Sequence, residues 1–392
     1  MILYKKIYVF ILCFIMLVAL SGCLGGREIN DLEIVIGMGI DKDKDTGDIL
    51  LTAQIVNEKE AGGASGEGGG GGGKAYWNVN SIGKSIFDAA RQITHKTGNR
   101  LFVSHNQVVI FGHDVAAEGL QKYIDFFLRA HEMRPTTLIL VAEGRASDIM
   151  DAKPETERFP AMNITKLVKT YGFTSHLYKV NMKDFATCLM SGTSAAFAPL
   201  ITVAHEGENK DVYVPGMAVF KNGKMVGKLS HDEVRGVLWV LGKVESGVVI
   251  VPSPDGKGKA VLEIVNVKSK VKPEIKDGRI IFHIKIEEEL SLSEQTTREN
   301  LATVPGFGKV QEAAGKVVRQ EIMAAFERSK ELRLDIFGFG EMLHKKYKNE
   351  WKIMEHNWDD IYPTIELDIH VDSRIVSNDL LRRPASPDEG GE

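Results

Sequence analysis

The chain has 392 residues, 43% of them hydrophobic, with 49 Lys and Arg against 53 Asp and Glu and a formal net charge of -4. That composition predicts two or three domains with buried cores, and the acidic balance excludes the basic footprint of a nucleic-acid binder. Three cysteines, Cys13, Cys23 and Cys188, are too few for a disulfide framework.

The first residues have the layout of an export signal. Lys5 and Lys6 supply positive charge, Ile7 to Leu20 carry no charged side chain, and Ser21-Gly22-Cys23 follows. The apolar run of about 14 residues falls short of the roughly 20 that a spanning helix needs. Residues 1–22 therefore read as a cleaved leader, and no later segment is long and apolar enough to span a bilayer. Leu20-Ser21-Gly22-Cys23 is similar to a bacterial lipobox, with cleavage between Gly22 and Cys23. The Cys23 thiolate would accept a diacylglyceryl group, and its new α-amine would be acylated in turn. Two or more acyl chains, at about 0.8 kcal/mol per buried CH2, hold a protein stably at a membrane. Cys13 would leave with the leader. Cys188, in the apolar stretch DFATCLMSG, reads as a buried structural thiol.

After the leader, DLEIVIGMGID and ILLTAQIV predict two strands joined by the polar turn KDKDTGD. The glycine-rich segment 61–74 predicts a flexible loop. Ile82, Ile86, Ala90 and Ile93 recur at helical spacing up to Gly98, a C-terminal stop. LFVSHNQVVIFG then reads as one buried strand, Val115 to Ala130 as a helix, TTLILVAEG as a strand and ASDIMDA as a short helix. This alternation predicts an α/β layer for a domain at 23–205. The stretch from Phe159 to Ala204 has a mixed pattern that assigns no element.

A second domain is expected at 212–376, subdivided near 295, with a disordered tail at 377–392. GMAVFKNGKMVGKLS predicts a hairpin turning at Asn222-Gly223, and Ser230 with Glu233 forms a capping box that starts a helix through Leu241. Val248 to Leu292 alternates apolar and polar residues as an antiparallel meander does. Phe307 to about Leu332 carries a helical stripe of Val310, Ala314, Val317, Ala325 and Phe326. FGFGEMLHKKY predicts another helix and TIELDIHVDSRIV a late strand. The fold class expected is α+β, or mixed α/β: an N-terminal α/β domain followed by an antiparallel sheet with helices.

The motifs that carry chemistry are weak. Asp41, Asp43 and Asp45 match the first three ligand positions of a calcium loop, but the glycine and the terminal carboxylate are out of register. Gly68 to Lys74 mimics a phosphate-binding loop without its hydroxyl residue or a leading strand, and Gly37-x-Gly39 lacks a third glycine. His105 reads as a structural histidine within a strand, and His231 as part of a solvated helix start. No zinc spacing and no nucleophile elbow is present, so no catalytic residue, metal or cofactor is assigned and the inventory points away from an enzyme.

Taken in order, REINDLEIVIGMGID, FVSHNQVVIFG, AAEGLQKYIDFFLRAHEMRPTTLILVAEGRASDI, GMAVFKNGKMVGKLSHDEVRGVLW and DIFGFGEMLHKKY with Trp351 and Trp358 resemble the Ger(x)C family, the lipoprotein subunit of spore germinant receptors. The resemblance covers the whole mature chain. It implies a receptor with two integral membrane subunits, a lipid anchor at Cys23 and a place on the outer face of the spore's inner membrane. Candidate partner contacts are FLRAHEMRP, with Arg129, His131 and Arg134, and the helix carrying Arg235. Taken one at a time, these charges read as solvated. The alternative is an extracytoplasmic ligand-binding lipoprotein of a transporter or sensor, which would need two doubly wound lobes; an exported hydrolase is the third class.

Overall fold

The computed structural model describes residues 3–8, 10–11, 31–57, 60, 74–154, 157–191, 195–206 and 209–377. Cys23, most of the 61–74 segment and nearly all of the tail lie outside these.

A large mixed sheet organises the first half. Its strands are β1 (Leu32–Lys42), β2 (Ile49–Val56), β3 (Tyr76–Gly83), β4 (Arg100–Phe102), β5 (Val108–Phe111), β6 (Leu138–Ala142), β7 (Ala196–Glu206), β8 (Asn209–Lys221) and β9 (Lys224–Leu229). They lie in the order β3-β2-β1-β5-β6-β7-β8-β9, with β4 also on β1. β1, β4, β5, β6 and β7 form the parallel centre, and antiparallel hairpins flank it on both sides. The parallel strands are apolar runs because both faces are covered; Val108 to Phe111 and Ile139 to Ala142 are fully buried.

The helices are α1 (Ile86–Thr97), α2 (His113–Glu118), α3 (Gln121–Arg129), α4 (Ala146–Met150), α5 (Pro160–Lys169), α6 (Tyr171–Thr174) and α7 (Met182–Met190). α1 starts at Ser85, whose side chain accepts from the Asp88 amide, and stops at Gly98 with φ 79°. Gly37 and Gly39 lie inside β1, not at its end. A Cβ at Gly37 would come within 2.7 Å of Ala161 and 2.8 Å of Met150, so these glycines let α4 and α5 press onto the strand.

Several expectations are corrected. Ile82 belongs to β3, which the sequence analysis missed, and stands 44% exposed. LFVSHNQVVIFG is two short strands with a turn that exposes His105. The predicted helix from Val115 to Ala130 breaks at Gly119, φ 128°, into α2 and α3. The hairpin β8–β9 turns at Asn222 (φ 50°) and Gly223 (φ 81°), as a type I′ turn requires. Both its strands extend the first sheet, β8 pairing with β7 from Ala196↔Phe220 to Glu206↔Asn209 and β9 with β8.

The second half holds β10 (Val248–Pro252), β11 (Lys259–Lys276), β12 (Arg279–Gln295) and β13 (Glu366–Ser377) in that spatial order. The first three are antiparallel and β13 lies parallel to β12. Helices α8 (His231–Leu241) and α9 (Val304–Glu331) pack on this sheet; α10 (Phe339–Lys346), α11 (Lys348–Met354) and α12 (Trp358–Ile361) complete the domain. The Ser230–Glu233 capping box is present. α9 buries Val310, Ala314, Val318, Ile322, Ala325 and Phe326 along one stripe. At Gly236 a Cβ would overlap the Glu321 carbonyl, so α8 and α9 cross in backbone contact. The architecture is the expected mixed α/β fold of more than one domain.

Candidate functional site

Cys23 and Gly22 lie outside the described residues. Eight residues separate Cys23 from Leu32, the first residue of β1. Such a segment reaches at most about 30 Å. The sheet end where β1 starts is formed by Arg100, in register with Leu32, and by the segment between α3 and β6. Arg100 pairs with Glu132 of that segment at 2.6 Å, and Asn99 Nδ2 donates to Glu33 at 3.3 Å. Arg129 is spent on Asp125 at 2.8 Å, while His131 and Arg134 are exposed. Of the predicted contacts, FLRAHEMRP therefore sits at the end where the chain enters the fold.

Arg235 is elsewhere and is not a solvated contact. It is buried on α8, forms a two-pronged ion pair with Glu321 of α9, and donates to the Val248 carbonyl at 2.8 Å. Trp239 Nε1 donates to the same carboxylate at 2.8 Å. Glu288 on β12 is 1% exposed; its Oε1 accepts from Ser373 Oγ at 2.6 Å and its Oε2 has no partner. Burial, and then the charge of Glu321, push its carboxyl up to about 7 against the help of Ser373 and Arg235. His231 stacks on His176 at 5.5 Å, and its Nε2 lies 2.9 Å from the Val214 carbonyl oxygen. Burial drives His176 down to about 4, so its ring is neutral at pH 7. Cys188 lies half-buried on α7 with its thiol pushed up by burial, the state of an inert structural cysteine.

Asp335 of DIFGFG has a structural task. Fully desolvated, it accepts from the amides of Phe339 and Gly340 at 2.9 and 2.6 Å and from Trp358 Nε1 at 3.2 Å. Burial still raises it to about 6. The cap aims Phe337 and Phe339 into a stack with Phe282.

The calcium-loop resemblance is resolved by Asp41. Its carboxylate turns inward, where Oδ1 accepts from the Ala146 amide at 2.8 Å and Oδ2 from Ser147 at 2.9 Å. Asp43 instead closes the exposed turn through the Thr46 amide and hydroxyl, both at 2.9 Å. Among the described residues, no group of His, Cys, Asp and Glu side chains could hold a metal ion.

Asp41 marks a crevice at the carboxyl ends of β1, β5 and β6. The turn after β1 leads the chain one way, to β2; the turn after β5 leads it the other way, to β6. The walls include Lys42, Lys44, His113, Asp114, Glu143 and Arg145, around a cavity of about 230 Å³. The Gly112 amide donates to the Ile40 carbonyl at 2.8 Å and the His113 amide to the Gly144 carbonyl at 2.9 Å, which binds the three turns together. Sequence analysis missed Glu288, Glu321 and His176 as special, because burial distinguishes them and their partners are remote, and it missed Asp335 although its amide donors lie four and five residues on.

The comparisons agree with this architecture. Residues 25–203 match the family model for the spore germination protein N-terminal domain, and 215–378 match the spore germination B3/GerAC-like C-terminal model. Spore germination protein YndF of Bacillus subtilis (strain 168) is 28% identical over 93% of this chain and 95% of its own. Spore germination protein KC of the same organism is 27% identical over 97% and 98%. The crystal structure of the GerBC protein has the same fold, with a TM-score of 0.58 at 17% identity over 87% of this chain and 97% of that one.

Proposed function

The chain belongs to the Ger(x)C family of spore germination proteins, and from that membership we propose that it is the lipid-anchored subunit of a nutrient germinant receptor. In this reading Cys23 carries the acyl chains, and the folded body stands on the extracytoplasmic face, in spores the outer face of the inner membrane. It assembles there with two integral membrane subunits and acts by binding rather than by catalysis, with no cofactor. The observation that carries the proposal is the join of Leu20-Ser21-Gly22-Cys23 to a body that matches the germination models from residue 25.

The tether gives the reading a physical basis. Acyl chains confine the body to the bilayer surface, which raises its effective concentration beside membrane partners. An eight-residue link keeps Leu32, at the amino-terminal end of β1, within about 30 Å of the lipid. The second sheet counts against the transporter-type alternative: three of its strands are antiparallel, and it forms no second doubly wound lobe.

Cys23→Ala tests the reading. Spores carrying it should lose germination through this receptor while other receptors respond normally, and the protein should leave the membrane fraction. Full response with an unmodified, soluble protein would refute the anchor.

A further inference from the structure

The second domain buries two carboxylates around one guanidinium. Arg235 of α8 is committed to Glu321 of α9, which also accepts from Trp239 Nε1. Glu288 of β12 joins this cluster with Ser373 Oγ on one oxygen and no partner on the other. The elements around Glu288 present Glu321 from α9, Arg235 from α8, Ser373 in register on β13 and Val267 in register on β11. Helix α10 reaches β12 further along, through Phe339 on Phe282. With all three groups ionised, the cluster holds two negative charges against one positive, and all three side chains are buried. The helix that supplies the guanidinium also joins the two halves of the molecule. It packs against β8 and β9 of the first sheet and β11 and β12 of the second. Its first residue, His231, meets the Val214 carbonyl of β8, and Arg235 holds the Val248 carbonyl of β10.

We propose that Glu288 is a proton-operated latch on α8: protonated, it leaves Arg235 to Glu321 and keeps the helix closed on the sheet; ionised, it competes for the same guanidinium and lets the helix open. The geometry sets the direction. A proton on Glu288 removes the second negative charge and requires no rearrangement, because Arg235 is already bonded to Glu321 and Val248. Loss of the proton leaves a buried charge without a counter-charge of its own, which is far less stable than a paired one. Movement of α8 relieves it, since that helix carries the cation that acts on Glu288. Burial and the charge of Glu321, which raise the carboxyl to about 7, put the change near neutrality. Rising pH therefore loosens the helix between the two sheets. The latch is independent of the lipid anchor, and its test needs no spores.

The test is hydrogen exchange of the full chain in detergent at pH 6, 7 and 8, read by mass spectrometry and corrected for the intrinsic pH dependence of amide exchange. A carboxyl at about 7 in the closed form and near its ordinary 4.5 in the open one raises the open population about tenfold between pH 6 and pH 8. Protection across α8 should fall by that factor. The α8 amides should exchange ahead of the β5 amides of the first sheet, without added denaturant. Glu288→Gln should abolish the pH dependence. Ser373→Ala deletes the hydrogen bond that favours the ionised form and should move the midpoint to higher pH. Protection of α8 that ignores pH, a pH dependence that survives Glu288→Gln, or α8 amides that exchange only together with those of β5 at every pH would overturn the proposal.

Discussion

Replacing Glu288 with Gln should stabilise the protein at neutral and alkaline pH. The carboxyl is raised from an ordinary 4.5 to about 7, first by burial and then by Glu321. A group raised in this way binds its proton more tightly when folded, so the folded state loses stability as pH climbs from about 4.5 to 7. Above pH 7 the ionised side chain costs about 3 kcal/mol, since each pKa unit is worth about 1.4 kcal/mol. Gln keeps an acceptor for Ser373 Oγ and puts an amide where Oε2 now has no partner. We expect a gain of about 1–3 kcal/mol at pH 8 and almost none at pH 4, read from guanidinium unfolding followed by tryptophan fluorescence. Asp335 also titrates upward, so the measured quantity is the wild-type minus variant difference at each pH. A Gln variant less stable than wild type at pH 8, or a difference that does not change with pH, would refute the reasoning.

Asp335→Ala leaves the amides of Phe339 and Gly340 and the Trp358 indole without an acceptor, and should cost about 3–5 kcal/mol in the same assay. Asp335→Asn should recover part of that loss. Gly236→Ala forces a methyl into the Glu321 carbonyl and should cost about 1–3 kcal/mol, with a lower thermal midpoint. Asp41→Ala removes the acceptor for two buried amides and should cost about 2–4 kcal/mol; in hydrogen exchange, the Ala146 and Ser147 amides should lose protection first.

Local chemistry was legible in the sequence wherever it acts at short range. Asn222-Gly223 announces its turn because both residues tolerate positive φ, and Ser230 with Glu233 announces its helix because the cap closes within one turn. The α9 stripe was legible apart from one step, since Val318 rather than Val317 is fully buried. β3 was missed because Ile82 falls at helical spacing before Ile86, while its true partner is Leu50 on β2. Arg235 was misread because its carboxylate partner lies 86 residues away. Asp41 was read with its neighbours as one polar turn, yet the amides that draw it inward begin 105 residues later. The assignments of the leader and of Cys23 rest on the sequence alone, since Cys23 and most of the leader lie outside the described structure.

The setting of β1 has a mechanical consequence. The strand has neighbours on both sides, β2 antiparallel and β4 with β5 parallel, and it is the first of the described strands. In the tethered arrangement proposed above, a tug along β1 acts across the direction of its hydrogen bonds. From Gly37 to Ile40 the ladders to β2 and β5 share the load in shear. The body should resist being drawn from its amino-terminal end far better than from the β13 end, where a single ladder to β12 carries the force.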